Sequence, residues 1–305
     1  MTNQRSQQSL DLSRLLSGAQ LPALPQSAIR VMELSKDPDN GPAEFAIPIE
    51  SEPGLASQVL RFVNSSYFGF SREISSVKLA ITLVGIRTIK NFVLWSAVYN
   101  LIPNTRCSVL DLKKLWQDSL RRGLFARTLG KGLGLKDTEE PFAAALLQDM
   151  AIPLLAKELP EQYSELLEKR ARTGERLSDL EREMFGWTHA DAARVIAGHW
   201  NLPPGFAVLM ERHILIDSIS EDASVNPDHV AVTLSALLPS AIDETWAERA
   251  RFEELYGQVC AGAPPIRDVL EQVDEQFEDF APTLRLPVTS RPLVAYYDEL
   301  PTTVA

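Results

Sequence analysis

Cysteine is scarce in this chain: Cys107 and Cys260 are the only two in 305 residues, far apart and with no Cys-x-x-Cys pair. That excludes a disulfide framework and a thiolate zinc site, and it fits a reducing compartment. No apolar run approaches the roughly 20 residues that a membrane span needs. The opening stretch MTNQRSQQSLDLSRLL lacks the apolar core of a secretion signal. The expectation is therefore a cytoplasmic protein with no membrane span. Common catalytic motifs are missing as well. There is no GxSxG, no Gly-rich phosphate loop followed by Lys-Ser/Thr, and no HExxH. Strand signals are absent: β-branched residues lie in helical stripes, and no Asn-Gly or Asp-Gly turn joins two alternating runs. No internal repeat is visible.

Positive charge is short in the second half. Residues 141–305 carry 13 Lys and Arg against 28 Asp and Glu, a balance of −15 that outweighs the +4 of the rest to give the net charge of −11. A surface that acidic repels phosphate backbones, which argues against nucleic-acid binding. The small basic excess at Lys113, Lys114, Arg121 and Arg122 has helical spacing and is expected to form a solvated helix face.

What the chain does have is helical periodicity. In SSVKLAITLVG, residues 75–85, the apolar residues Val77, Ala80, Ile81 and Val84 share one face, with serines before them and Gly85 after. A long helix is expected from Leu110 to Leu129, ended by Gly130, Gly132 and Gly134. Thr188-x-x-Asp191 is close to a capping box, and Asn226-Pro227 opens another helix. The fold class is all-α. Residues 1–20 are expected to form an N-terminal segment, 21–104 a helical lobe, and 110–240 a second helical lobe. Residues 241–281 read as two acidic amphipathic helices. Residues 282–305 hold four prolines and no usable period, so an extended or loosely docked tail is expected there.

Several stretches in order carry a resemblance: LPALPQSAIRVMEL, IESEPGLASQVLRFVNSSYFGF, EISSVKLAITLVGIRTIKNFVL, LWQDSLRRGLFARTL, AALLQDMAIPLL and EREMFGWTHADAARVIAGHWNLP. Over about residues 21–240 the chain resembles the HDOD (HD-related output domain) family of bacterial signalling proteins. The resemblance implies a multi-helical HDOD fold, with an N-terminal lobe packed on a degenerate HD-superfamily phosphohydrolase domain. Working HD domains bind metal through His and Asp side chains.

Position by position, the resemblance implies that an expected ligand histidine falls at Asp118 and that the His-Asp pair has become Gln148-Asp149. It implies that one histidine is kept as His189 and that paired histidines have become Arg212-His213. The closing aspartate falls near Ala236. A neutral amide at Gln148 holds a hydrolytic metal less well than imidazole, and a guanidinium at Arg212 would repel one. Ala151 replaces the motif glycine, and Pro153 suggests a helix break. The reading is a non-enzymatic scaffold or output protein that binds a regulatory protein or a small ligand in or near the old HD cleft, with no cofactor and no catalytic residue, Asp149 pairing with Arg212 or His213 in a polar seam. Should a metal bind, its ligands would come from Asp118, Asp149, His189 and His213. The alternative is a metal-dependent phosphohydrolase acting on a nucleotide or cyclic dinucleotide; a sensor that binds a nucleotide without hydrolysing it is a third reading. The resemblance implies partners among regulatory proteins, such as cyclic-dinucleotide or two-component proteins. His199 and His229 read as surface or core-edge residues.

One loop invites a partner. Asn64-Ser65 either stops a helix or joins a contact site with Tyr67 and Phe68. Three aromatics, Tyr67, Phe68 and Phe70, cluster beside a glycine, where at least one is expected to be exposed. Asn64, Tyr67, Phe68 and Phe70 are therefore the candidate partner surface.

Overall fold

A computed structural model describes residues 11–19, 21–101, 107–221, 226–288 and 291–299, and among these residues there are helices and no strands. The N-terminal lobe comprises α1 (Leu12–Gly18), α2 (Gln26–Leu34), α3 (Pro42–Glu50), α4 (Pro53–Val63), a 3-10 turn (Ser66–Phe68), α5 (Val77–Val84) and α6 (Ile86–Leu101). Leu-Pro-x-Leu-Pro enters extended, because each proline fixes its own φ and disfavours helix in the residue before it, and α2 begins directly after Pro25. α5 is bounded as its caps require: the Ser76 hydroxyl accepts from Leu79 N–H, and Gly85 takes φ 93°.

The second lobe is built around α7 (Leu112–Gly132), the longest helix among the described residues. It runs through Gly130 and ends at Gly132, three residues beyond the expected Leu129. Both are sites of close approach: a Cβ at Gly132 would lie 2.6 Å from Pro264 Cδ. The turn comes at Gly134, with φ 83°. α8 (Glu139–Leu147) and α15 (Pro227–Ser235) pack against α7, and α9 (Ala151–Glu158), α10 (Pro160–Thr173), α11 (Leu177–Phe185), α12 (His189–His199), α13 (Pro204–Arg212) and α14 (Ser218–Glu221) pack on these and on one another. Pro153 does not break a helix. It sits in the first turn of α9, where a missing N–H costs nothing, and the break falls one step earlier, at Gln148-Asp149-Met150. The boundary expected between the lobes, between residues 104 and 110, falls partly on residues 102–106, outside the described residues.

Three more helices follow: α16 (Arg249–Val259), α17 (Ile266–Thr283) and α18 (Leu293–Asp298). The tail therefore differs from its expectation, since α18 is a regular helix and Leu293 and Tyr296 are buried. Six residues are too few to show a period, and their apolar pair is legible only once docked. α17 lies along α7 and also reaches the N-terminal lobe, where Phe280 meets Phe62, Tyr67 and Phe68.

The aromatic loop is accordingly a plug between lobes. Phe68 stands edge-on to Phe62 and Phe280, and Tyr67 packs on Phe280 at 4.6 Å while its hydroxyl accepts from Arg127 Nη1. Asn64 is a clamp: its Oδ1 accepts from Ile74 N–H at 2.7 Å, and its Nδ2 donates to the Leu60 and Ile74 carbonyls. It caps α4 at φ −83°, ψ 6°, not in the left-handed region, which Gly69 takes instead at φ 63°. Of the four residues offered as a partner surface, Phe70 alone presents a substantially exposed ring.

Candidate functional site: a buried ionic chain

The break between α8 and α9 turns Asp149 into the lobe, where it meets His189 at the start of α12 and His213 just after α13. α12 starts at His189 because Thr188 and Asp191 form a reciprocal capping box, with Thr188 N–H donating to Asp191 at 2.7 Å. Asp149, His189 and His213 are all buried and each offers one ligand atom, the three lying within 4.8 Å of one another. His189 Nε2 is 3.4 Å and His213 Nε2 3.7 Å from Asp149 Oδ1, and the two Nε2 atoms are 3.2 Å apart.

The outer nitrogens fix the tautomers. His213 Nδ1 is 2.5 Å from the Met210 carbonyl, which can only accept, so Nδ1 carries a proton. His189 Nδ1 is 2.6 Å from Glu181 Oε2, which also accepts from the His189 backbone N–H at 2.8 Å. Glu181 is fully buried, and its second oxygen accepts from the Tyr163 hydroxyl at 2.7 Å. Burial and the adjacent Glu181 push the Tyr163 phenol well above its ordinary pKa. Burial, then the neighbouring His189, holds His213 well below the usual imidazole range, so it is neutral. With its proton on Nδ1, His213 presents Nε2 as an acceptor towards His189 Nε2, which also lies within reach of Asp149.

At the far side of Asp149 the other carboxylate oxygen takes the Arg122 guanidinium, whose side chain is only 14% exposed. The result is a continuous buried polar chain, Glu181, His189, Asp149 and Arg122, flanked by Tyr163 and His213 and ending in the Arg122–Asp149 ion pair. Burial pulls Arg122 below its usual pKa, with Asp118 opposing, but a guanidinium remains charged.

The positions singled out in the sequence divide sharply. Asp149, His189 and His213 come together; Asp118 does not join them. It sits one helical turn before Arg122 on α7, accepting from Ala241 N–H at 2.7 Å and from the Ser240 hydroxyl. Burial raises its pKa against the pull of Arg122 and these two bonds. Gln148 is fully buried, its Oε1 facing the Ser235 hydroxyl at 3.4 Å, while its Nε2 finds no partner among the described residues. Ser235, not Ala236, is the α15 residue that meets it. Arg212 is exposed on α13 and is not the cation beside Asp149. That cation is Arg122, which had been assigned with Arg121 to a solvated face; Arg121 is 2% exposed and Lys113 and Lys114 are the exposed pair. α7 is covered by α8, α15 and α17, so even its charged residues point into packed surroundings. Glu181 and Tyr163 were not singled out either. A lone Glu in EREMF reads as one more polar helix position, and only its contact with His189 marks it. His199 is exposed and His229 half-buried.

The comparisons agree with this architecture. A solved structure from Shewanella amazonensis SB2B, described as a phosphohydrolase, superposes with a TM-score of 0.70 over 92% of this chain and 100% of that one, at 17% identity. An HDOD domain protein of unknown function from Geobacter sulfurreducens gives a TM-score of 0.63 over 94% and 91%, at 19% identity. At such identities the likeness is one of fold. An uncharacterized protein from Treponema pallidum (strain Nichols) is 24% identical over 184 residues, 60% of this chain, and the match spans about a third of that relative, 35% of its length. The HDOD domain pattern itself matches residues 21–215, well over half the chain, and the protein belongs to the HDOD family.

Proposed function

We propose that this protein is a non-enzymatic signalling scaffold or output module, and that its second lobe uses the former metal site as an internal ionic chain. The observation that carries the reading is the Arg122 guanidinium on Asp149. A hydrolytic HD site needs His and carboxylate donors converging on one or two divalent ions, which then lower the pKa of a bound water and offset phosphate charge. Here the donor set is short: two imidazole nitrogens and one carboxylate oxygen converge, Asp118 is bound to the 240–241 backbone and hydroxyl, and Gln148 offers an amide. A fixed cation already neutralises the carboxylate and would repel a metal. The partner would be a regulatory protein of a bacterial signalling system, with no nucleic acid, given the acidity of the second half.

The second reading is a metal-dependent phosphohydrolase acting on a nucleotide or cyclic dinucleotide. The convergence of Asp149, His189 and His213 favours it. Incubating the protein with manganese and a panel of nucleotides and cyclic dinucleotides separates the two. No turnover above that of an Asp149→Ala control is expected; manganese-dependent turnover that the same substitution abolishes would establish the hydrolase.

A further inference from the structure

The segment 291–299 is tied to one edge of the ionic chain by contacts that do not depend on what the protein binds. Leu293 is fully buried and Tyr296 is 3% exposed, so α18 inserts its apolar face between α17 and the 240–243 loop. Asp274 on α17 caps it, accepting from Leu293 N–H and Val294 N–H at 2.9 Å each. Arg121 on α7 donates to the Arg291 carbonyl at 2.8 Å, and the Arg291 guanidinium lies 4.2 Å over the Tyr296 ring.

The Tyr296 hydroxyl faces the loop backbone, 2.8 Å from the Asp243 carbonyl and 3.5 Å from that of Ser240. That loop holds two groups of the second lobe in turn. Ala241 N–H and the Ser240 hydroxyl bind Asp118, and Asp243 takes Arg170 in a two-pronged pair at 2.7 and 2.9 Å. Asp118 precedes Arg122 by one turn of α7, and Arg122 holds Asp149.

A six-residue helix does not persist alone in water, because its few internal bonds cannot offset nucleation. The order of α18 therefore comes from docking. Its outer anchors, such as Arg267–Asp298 at 3.2 Å, are half-exposed ion pairs of small worth. Such a unit opens locally at lower free energy than the core around it.

We propose that residues 291–299 form a releasable strap. Docked, the strap holds the 240–243 loop on Asp118 and Arg170; released, it lets that edge of the site loosen while both lobes stay folded. A partner that captures the strap would thereby act on the ionic chain from outside it.

Hydrogen exchange on the full chain tests this, comparing the wild type with Leu293→Asp, which ejects the apolar face, and with Tyr296→Phe, which removes the hydroxyl and keeps the ring. In L293D the amides of 291–299 and of 240–243 should lose protection together, while α4, α6 and the centre of α7 keep theirs. In Y296F the Ala241 and Asp243 amides should exchange about fivefold faster, the loss expected for one hydrogen bond. The strap is refuted if 240–243 keeps wild-type exchange in Y296F. It is equally refuted if L293D opens 291–299 without 240–243, or if both lobes lose protection along with it.

Discussion

Between Ser27 and Val98 the N-terminal lobe buries five polar side chains, Ser27, Ser65, Thr88, Asn91 and Ser96, none of them ionisable. Between Gln117 and Ser240 the second lobe buries eight ionisable ones: Asp118, Arg121, Arg127, Asp149, Tyr163, Glu181, His189 and His213. Each polar group of the first lobe is met by a neutral or exposed partner: Ser65 and Thr88 donate to nearby carbonyls, Ser27 to Glu52, Ser96 to Gln58, and Asn91 to the Glu139 carbonyl of the second lobe. The second must satisfy every charge it buries, since an unpaired buried ion costs far more than a pair contributes. The N-terminal lobe should therefore tolerate truncation of any one polar group, and the second lobe should not.

The largest effect is expected at Asp149. Asp149→Ala strands Arg122 and His189 at once and should cost about 3–5 kcal/mol in urea denaturation. Adding Arg122→Met should recover much of that loss, because the orphaned cation goes with it. If the two losses simply add, the pair is not the unit described. Next comes the strut between lobes: Phe280→Ala removes the ring that Phe62, Tyr67 and Phe68 share and should cost about 3 kcal/mol. Tyr67→Ala with Phe68→Ala should destabilise likewise, contrary to what a free partner surface would do.

A third effect is pH-dependent. The folded pKa of His213 lies below its unfolded value, so below about pH 6.5 the unfolded chain binds a proton that the folded chain refuses. Stability should fall as pH drops through that window, by up to about 1.4 kcal/mol per unit. His213→Gln should flatten the slope, read from denaturation midpoints at pH 7.5, 6.5 and 5.5. Asp118 works the other way: its raised folded pKa gives stability that is present at low pH and lost as pH rises through that pKa. A slope unchanged by His213→Gln would mean that the imidazole is not held neutral. The smallest effect is expected at the exposed Phe70, where Phe70→Ser should shift stability by no more than about 0.5 kcal/mol.

Elements with strong local signals were legible in the sequence. The Ser76 and Gly85 bounds of α5 and the Thr188–Asp191 box of α12 follow from caps that act within four residues. Three of the site residues, Asp149, His189 and His213, were reached through the family resemblance, and the fold brings them together. What the sequence hid was long-range. Arg122 and Asp149 are 27 positions apart, and a charged residue on a helix covered on several sides looks like one on a solvated face. Arg212, beside His213 in sequence, points outward because adjacent residues at a helix end diverge by about 100°. α18 carries no period of its own, and its docking depends on Asp274 and Tyr296 meeting partners 19 and 53 residues away.

The measurement that bears most directly on the ionic chain is a thermal melt of wild type and Asp149→Ala, each with and without manganese. A ligand that binds only the folded state at 100 times its Kd stabilises by about 2.7 kcal/mol, which moves Tm by several degrees. With Arg122 holding Asp149, manganese should leave the Tm of both proteins unchanged. A saturable rise in the wild type that is absent from Asp149→Ala would contradict this and make the three converging side chains a metal site.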